Sequence, residues 1–118
     1  MRTTTRTMSE IERRKAANEA VFRNVNERIQ RLQHSFALAE REPLQMICEC
    51  DRLDCMTRIT VEVDVYEQVR AQPDSFLVSE GHEDLSVDEV VKVSSGYTIV
   101  RKREGDPQDV AVETDPRS

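Results

Sequence analysis

The sequence lacks tryptophan and carries only five other aromatic residues among 118: Phe22, Phe36, Tyr66, Phe76 and Tyr97. So few large side chains exclude an extensive aromatic core. No run of about 18 apolar residues occurs, which excludes a membrane-spanning helix. The N-terminus has Arg2 and Arg6 but no apolar stretch behind them, so it does not read as a secretory signal. A cytoplasmic location is expected, where thiols stay reduced or bind metal. Basic charge is in deficit, with 17 basic against 23 acidic side chains and a net charge of -6, which disfavours generic nucleic-acid binding. The cysteine count is three, and an odd number cannot close an intrachain disulfide framework. A Gly-rich phosphate loop, G-x-S-x-G and H-E-x-x-H are all missing, so the chain reads as non-enzymatic.

What is present begins with a long helix over residues 9–41. Ser9 and Glu12 form an S-x-x-E capping box. No Gly or Pro falls between Ser9 and Arg41. Phe22, Val25, Ile29, Leu32 and Phe36 step by 3 and 4, a seam of period 3.5. The thirty-two residues 9–40 span about 48 Å as a helix, more than a small domain covers. The seam is therefore expected to pair with a second copy (a homodimer) or a protein partner, or to pack on the chain's own sheet. Met8 could be an alternative start, and residues 1–8 read as a flexible leader.

Pro43 closes the helix. Residues 44–50 and 55–61 alternate as two strands of a hairpin around the turn Asp51-Arg52-Leu53-Asp54. A short helix is expected over 63–71, with Val65, Tyr66 and Val69 on one face. An extended run follows at 76–78, then a loop at 79–83. A second hairpin spans 87–93 and 97–102 around Ser94-Ser95-Gly96. The fold class is α+β: a long N-terminal helix before a small two-hairpin domain, residues 42–103, with one short helix. Residues 104–118 read as an acidic disordered tail. Residues 1–41 hold 9 basic and 5 acidic side chains, and residues 42–118 hold 8 and 18. The basic helix suggests pairs such as Glu27 with Arg31. It also offers Arg13, Arg14, Lys15 and Arg23 to an acidic partner, or weakly to nucleic acid.

Cys48, Cys50 and Cys55 form C-x-C-x4-C. Alternation on a strand points Cys48 and Cys50 to one face, and Cys55 lies across the turn. Zinc takes four tetrahedral thiolate or imidazole donors, and His82 is the expected fourth. Gly81 before it is expected to let the loop approach closely. His34 falls on the outer face of the long helix and ranks below His82. Asp51 and Asp54 could supply oxygen in place of His82, or serve as turn residues. Two other readings stay open: buried free thiols and a redox pair. Zinc suits a domain this small, because binding contributes on the order of 10 kcal/mol to folding.

Several segments carry a resemblance. They are Glu19–Ile29 (EAVFRNVNERI), the Cys48-Glu49-Cys50 and Cys55 cluster, Val65–Arg70 with Pro73 and Phe76, Gly81-His82-Glu83 and Thr114–Arg117. Together they resemble a family of small uncharacterised bacterial proteins of high-GC Gram-positive genomes. The resemblance implies no activity, but its pattern groups Cys48, Cys50, Cys55 and His82. Glu62 departs from the Ser or Thr cap it implies for the short helix. The expected function is a zinc-binding interaction or regulatory module, with a thiol-based redox or zinc sensor as the alternative.

Overall fold

The structure, a computed structural model, describes residues 10–40, 43–52 and 54–117; for residues 11 and 34–40 it describes the backbone alone. The expected leader, Ser9 of the capping box, and the side chains of His34 and Phe36 lie outside the described residues. The elements run α1 (Glu10–Glu40), β1 (Leu44–Ile47), β2 (Arg58–Val61), α2 (Val63–Arg70), β3 (Ser75–Val78), β4 (Asp88–Ser94), β5 (Tyr97–Lys102) and α3 (Asp106–Glu113). The architecture is α+β. β1 and β2 form an antiparallel pair, and β5 is the centre of a three-stranded sheet between β3 and β4.

The first hairpin is in the expected register, with Leu44 opposite Val61 and Met46 opposite Ile59. All four point inward and pack with Tyr66 and Val69 of α2 and Leu77 of β3. Its strands are shorter than the alternation suggests. Regular pairing stops near Cys48, whose N–H donates to Thr57 O at 2.8 Å. Beyond it the backbone leaves the ladder to bring the thiols together. In the second hairpin Ser94 pairs with Tyr97, so the loop is Ser95-Gly96, with Gly96 at φ 91°. α2 starts at Glu62 with no side-chain cap.

The expected disordered tail is corrected. Pro107 occupies the first turn of α3, where a missing N–H costs nothing and the fixed φ suits a helix. Proline here starts structure instead of breaking it. Beyond α3, Arg117 Nε donates to Glu27 Oε1 at 2.7 Å and Nη1 to Glu67 Oε1 at 3.0 Å. The C-terminus is thereby tied to α1 and α2.

The buried face of α1 is mostly polar. Arg23 is 1% exposed and Asn26 0%, with Glu19, Glu27 and Gln30 also buried. The expected seam is divided between two faces. Phe22 is buried and Ile29 packs on the core, while Val25 and Leu32 are 37% and 78% exposed. Two further expectations are corrected. Arg23 does not belong to a basic surface: its guanidinium lies 4.5 Å from the Phe76 ring centre and donates to Pro73 O and Ala111 O, each at 2.7 Å. Glu27 does not pair with Arg31; it accepts from Arg117 and from Tyr66 Oη, the latter at 2.8 Å. Lys102 is buried the same way, 2.5 Å from Glu19 Oε2 and 2.7 Å from Asp88 Oδ1. A charge can be buried only with such partners at hand.

Candidate metal centre

Two loops build the site. One is the segment between β1 and β2, which carries Cys48, Cys50 and Cys55. The other is the turn after β3. There the His82 N–H donates to Ser79 O at 2.9 Å, and Gly81 adopts φ 84°. This turn needs a residue that tolerates positive φ. A Cβ on Gly81 would meet nothing within 4 Å. Gly81 therefore serves backbone conformation, and the expectation of close approach is corrected.

The structure brings Cys48, Cys50, Cys55 and His82 together, their ligand atoms all within 4.8 Å of one another. Cys48 is 0%, Cys50 1% and Cys55 7% exposed, with His82 at the margin. All three thiols are free. His82 Nδ1 lies 3.6 Å from Cys48 Sγ and 3.5 Å from Cys55 Sγ. A tetrahedral ion at about 2.3 Å from sulfur and 2.0–2.1 Å from nitrogen separates those two donors by about 3.6 Å. The donor set and the two nitrogen–sulfur spacings fit a bound metal ion. Asp51 and Asp54 do not join the set. Asp51 instead meets Lys15 at 3.6 Å, and Asp54 is exposed.

Backbone amides supply the surrounding shell. The Ser79 N–H donates to Cys48 Sγ at 3.0 Å. The backbone of Arg52 and of Thr57 likewise pulls the Cys50 and Cys55 thiols down. Donors aimed at sulfur favour the thiolate, the form that binds metal. Burial opposes them and pushes the Cys48 and Cys50 thiols up. For Cys55 burial also acts upward, but its hydrogen bonding with Thr57 and with the other two cysteines outweighs it, and its pKa falls.

Glu49, between two of the cysteines, faces the other way. Its carboxylate is 0% exposed. It accepts from Arg70 Nη1 at 2.8 Å and Nη2 at 3.0 Å, from Asn26 Nδ2 at 2.6 Å and from the Leu77 N–H at 2.9 Å. The Glu49 N–H returns to Leu77 O at 2.8 Å. Asn26 also reaches β1, donating to Ile47 O at 2.8 Å and accepting from the Ile47 N–H at 2.9 Å. One buried residue thus joins α1, α2, β1 and β3 immediately behind the thiols. Burial alone would lower the Arg70 pKa, but Glu49 reverses this and raises it. Residue spacing marks Glu49 only as the residue between candidate ligands. The available signal was its place in C-E-C: if both neighbours face a buried cluster, the alternate side chain needs a cationic partner.

Compared with protein-family models, curated proteins and solved structures, the chain matches none. The site is therefore read from its own chemistry. Among the described residues, no helix is long and apolar enough to cross a membrane.

Proposed function

We propose that the chain is a zinc-braced, non-enzymatic interaction module of the cytoplasm. Cys48, Cys50, Cys55 and His82 hold one zinc ion structurally, and α1 presents a recruiting surface. The observation that carries the reading is the convergence of four soft donors within 4.8 Å. Four protein donors complete a tetrahedron and leave no position for water, as in structural rather than catalytic zinc sites.

The test is elemental analysis of protein purified without added metal, beside a Cys50→Ser variant. One zinc per chain, lost in the variant, is the expected result. Less than about a tenth of an equivalent in the parent overturns the metal reading.

A second reading is a redox or zinc sensor. His82 borders an open cleft, with Arg52, Asp54 and Glu83 also on its walls, so the imidazole edge of the cluster faces solvent while the sulfurs lie buried behind it. Zinc release by peroxide at physiological dose supports a sensor, and a site inert to it leaves the ion purely structural.

A further inference from the structure

α1 turns three of its apolar residues outward. Val21 is 56%, Val25 37% and Leu32 78% exposed, and at 3.6 residues per turn the three fall within about 40° of one another. Arg28 lies in the same stripe and Arg31 flanks it. The opposite face, with Arg23, Asn26 and Gln30, is fixed to the domain. The charge left outside is of one sign. Among the described residues from Arg13 to Gln33, the exposed charged side chains are Arg13, Arg14, Lys15, Arg28 and Arg31. The two acidic residues in that span, Glu19 and Glu27, are buried against Lys102 and Arg117. Near the N-terminal end Arg14 also meets Glu10 and Lys15 meets Asp51, each at 3.6 Å. Arg28 and Arg31 are left to dominate the part of the stripe that holds Val25 and Leu32.

We propose that this face docks an acidic amphipathic helix of a partner protein, one that lays an apolar seam on Val21, Val25 and Leu32 and sets carboxylates against Arg28 and Arg31. This deepens the recruiting half of the function above and rests on it, while the metal half is settled separately by zinc content. Charge complementarity selects the occupant. A second copy in the same register brings cations against cations, which is unfavourable. Phosphate backbones satisfy the arginines but leave the aliphatic side chains uncovered. A lipid surface needs a broader apolar face than three aliphatic residues supply.

The probe is a synthetic peptide of about three heptads, with Leu at a and d and Glu at the flanking positions. It is titrated by calorimetry into the zinc-loaded full chain. Micromolar binding is expected, weakened by about tenfold when salt rises to about 0.5 M. Val25→Ser with Leu32→Ser should weaken it at least about tenfold. Arg28→Glu with Arg31→Glu should abolish it and confer binding of the matching Lys peptide. These positions are exposed, so the variants keep the fold, checked by zinc content and circular dichroism. The proposal is overturned if the peptide does not bind, or if binding is insensitive to both double variants. It is equally overturned if sedimentation shows a dimer of the free chain that Val25→Ser with Leu32→Ser dissolves, or if duplex DNA or phosphatidylserine vesicles bind through the stripe in preference to the peptide.

Discussion

Asn26 Nδ2 donates to Glu49 Oε2 at 2.6 Å, tying the middle of the long helix to the residue that separates two clustered thiols. Because Asn26 also bonds both the N–H and the C=O of Ile47, it acts on β1 much as a neighbouring strand would. The helix therefore holds the backbone from which the candidate metal ligands extend.

Glu49→Ala leaves Arg70, 2% exposed, without its carboxylate. A buried cation stripped of its partner costs about 3–5 kcal/mol. Urea unfolding should show that loss, and zinc affinity should fall at least about tenfold because the residue orients Cys48 and Cys50. A stability within about 0.5 kcal/mol of the parent would remove the network from its central place.

Metal removal should lower stability far more than surface changes do. Losing even about 3 kcal/mol of bound-metal stabilisation shifts the melting temperature of a domain this size by about 10–20 °C. Scanning calorimetry with and without a strong chelator measures it. Coincident transitions would show that the ion does not brace the fold.

The pH dependence follows from Glu19. Burial raises its carboxyl from 4.5 to about 7, against the lowering pull of Lys102. Between those values the folded state holds a proton that the unfolded state releases, so stability falls as pH rises. The contribution is full below pH 4.5 and lost as pH passes about 7. Glu19→Gln should flatten that decline in urea midpoints measured from pH 5 to 8. Parallel parent and variant curves contradict the assignment. On the acid side, Glu27 and Asp74 act oppositely. Burial would raise both, but Arg117 and Tyr66 lower Glu27, and Gln108 and Arg101 lower Asp74. Stability is therefore also lost as pH falls below the ordinary carboxylate range.

Deleting residues 105–118 should cost more than trimming a mobile tail. Glu27 and the Arg23 guanidinium would lose Arg117, Ala111 O and Thr114 Oγ1. The truncated chain is expected to unfold at several kcal/mol lower stability, while Arg117→Ala, a third exposed, should cost about 1–2 kcal/mol. Limited proteolysis distinguishes the outcomes: rapid removal of 105–118 from a still-folded core would contradict the packed arrangement.

Gly81→Ala tests the turn that carries His82. The added methyl has open space, so the cost is that of positive φ, about 1–2 kcal/mol. Zinc should dissociate faster from the variant while its donor set is unchanged. An unaltered rate of transfer to a chelator would count against the turn's role.

Much of this architecture is local and was legible in the order of residues. An unbroken run from Glu10 to Glu40 makes α1. Alternation and turn residues make both hairpins, though their ends were overextended at Cys48 and Cys55, where ligand geometry replaces ladder pairing. The thiol cluster was legible because C-x-C sets two donors on one face and the third follows a turn; the role of Gly81 was not, because a positive φ leaves no mark in residue spacing. The side of α1 that faces inward was not legible. Apolar periodicity favours Phe22, Val25, Ile29, Leu32 and Phe36, yet Arg23, Asn26 and Glu27 are buried. Each is buried because acceptors or cations arrive from distant segments: Pro73 and Ala111 for Arg23, Ile47 and Glu49 for Asn26, Arg117 for Glu27. The sequence by itself determined the elements from α1 to β5, the charge divided between helix and remainder, and the four candidate ligands. The tertiary structure decided the polar inner face of α1, the packed C-terminus and the buried position of Glu49, because desolvating a charge is tolerable only where folding delivers its partner.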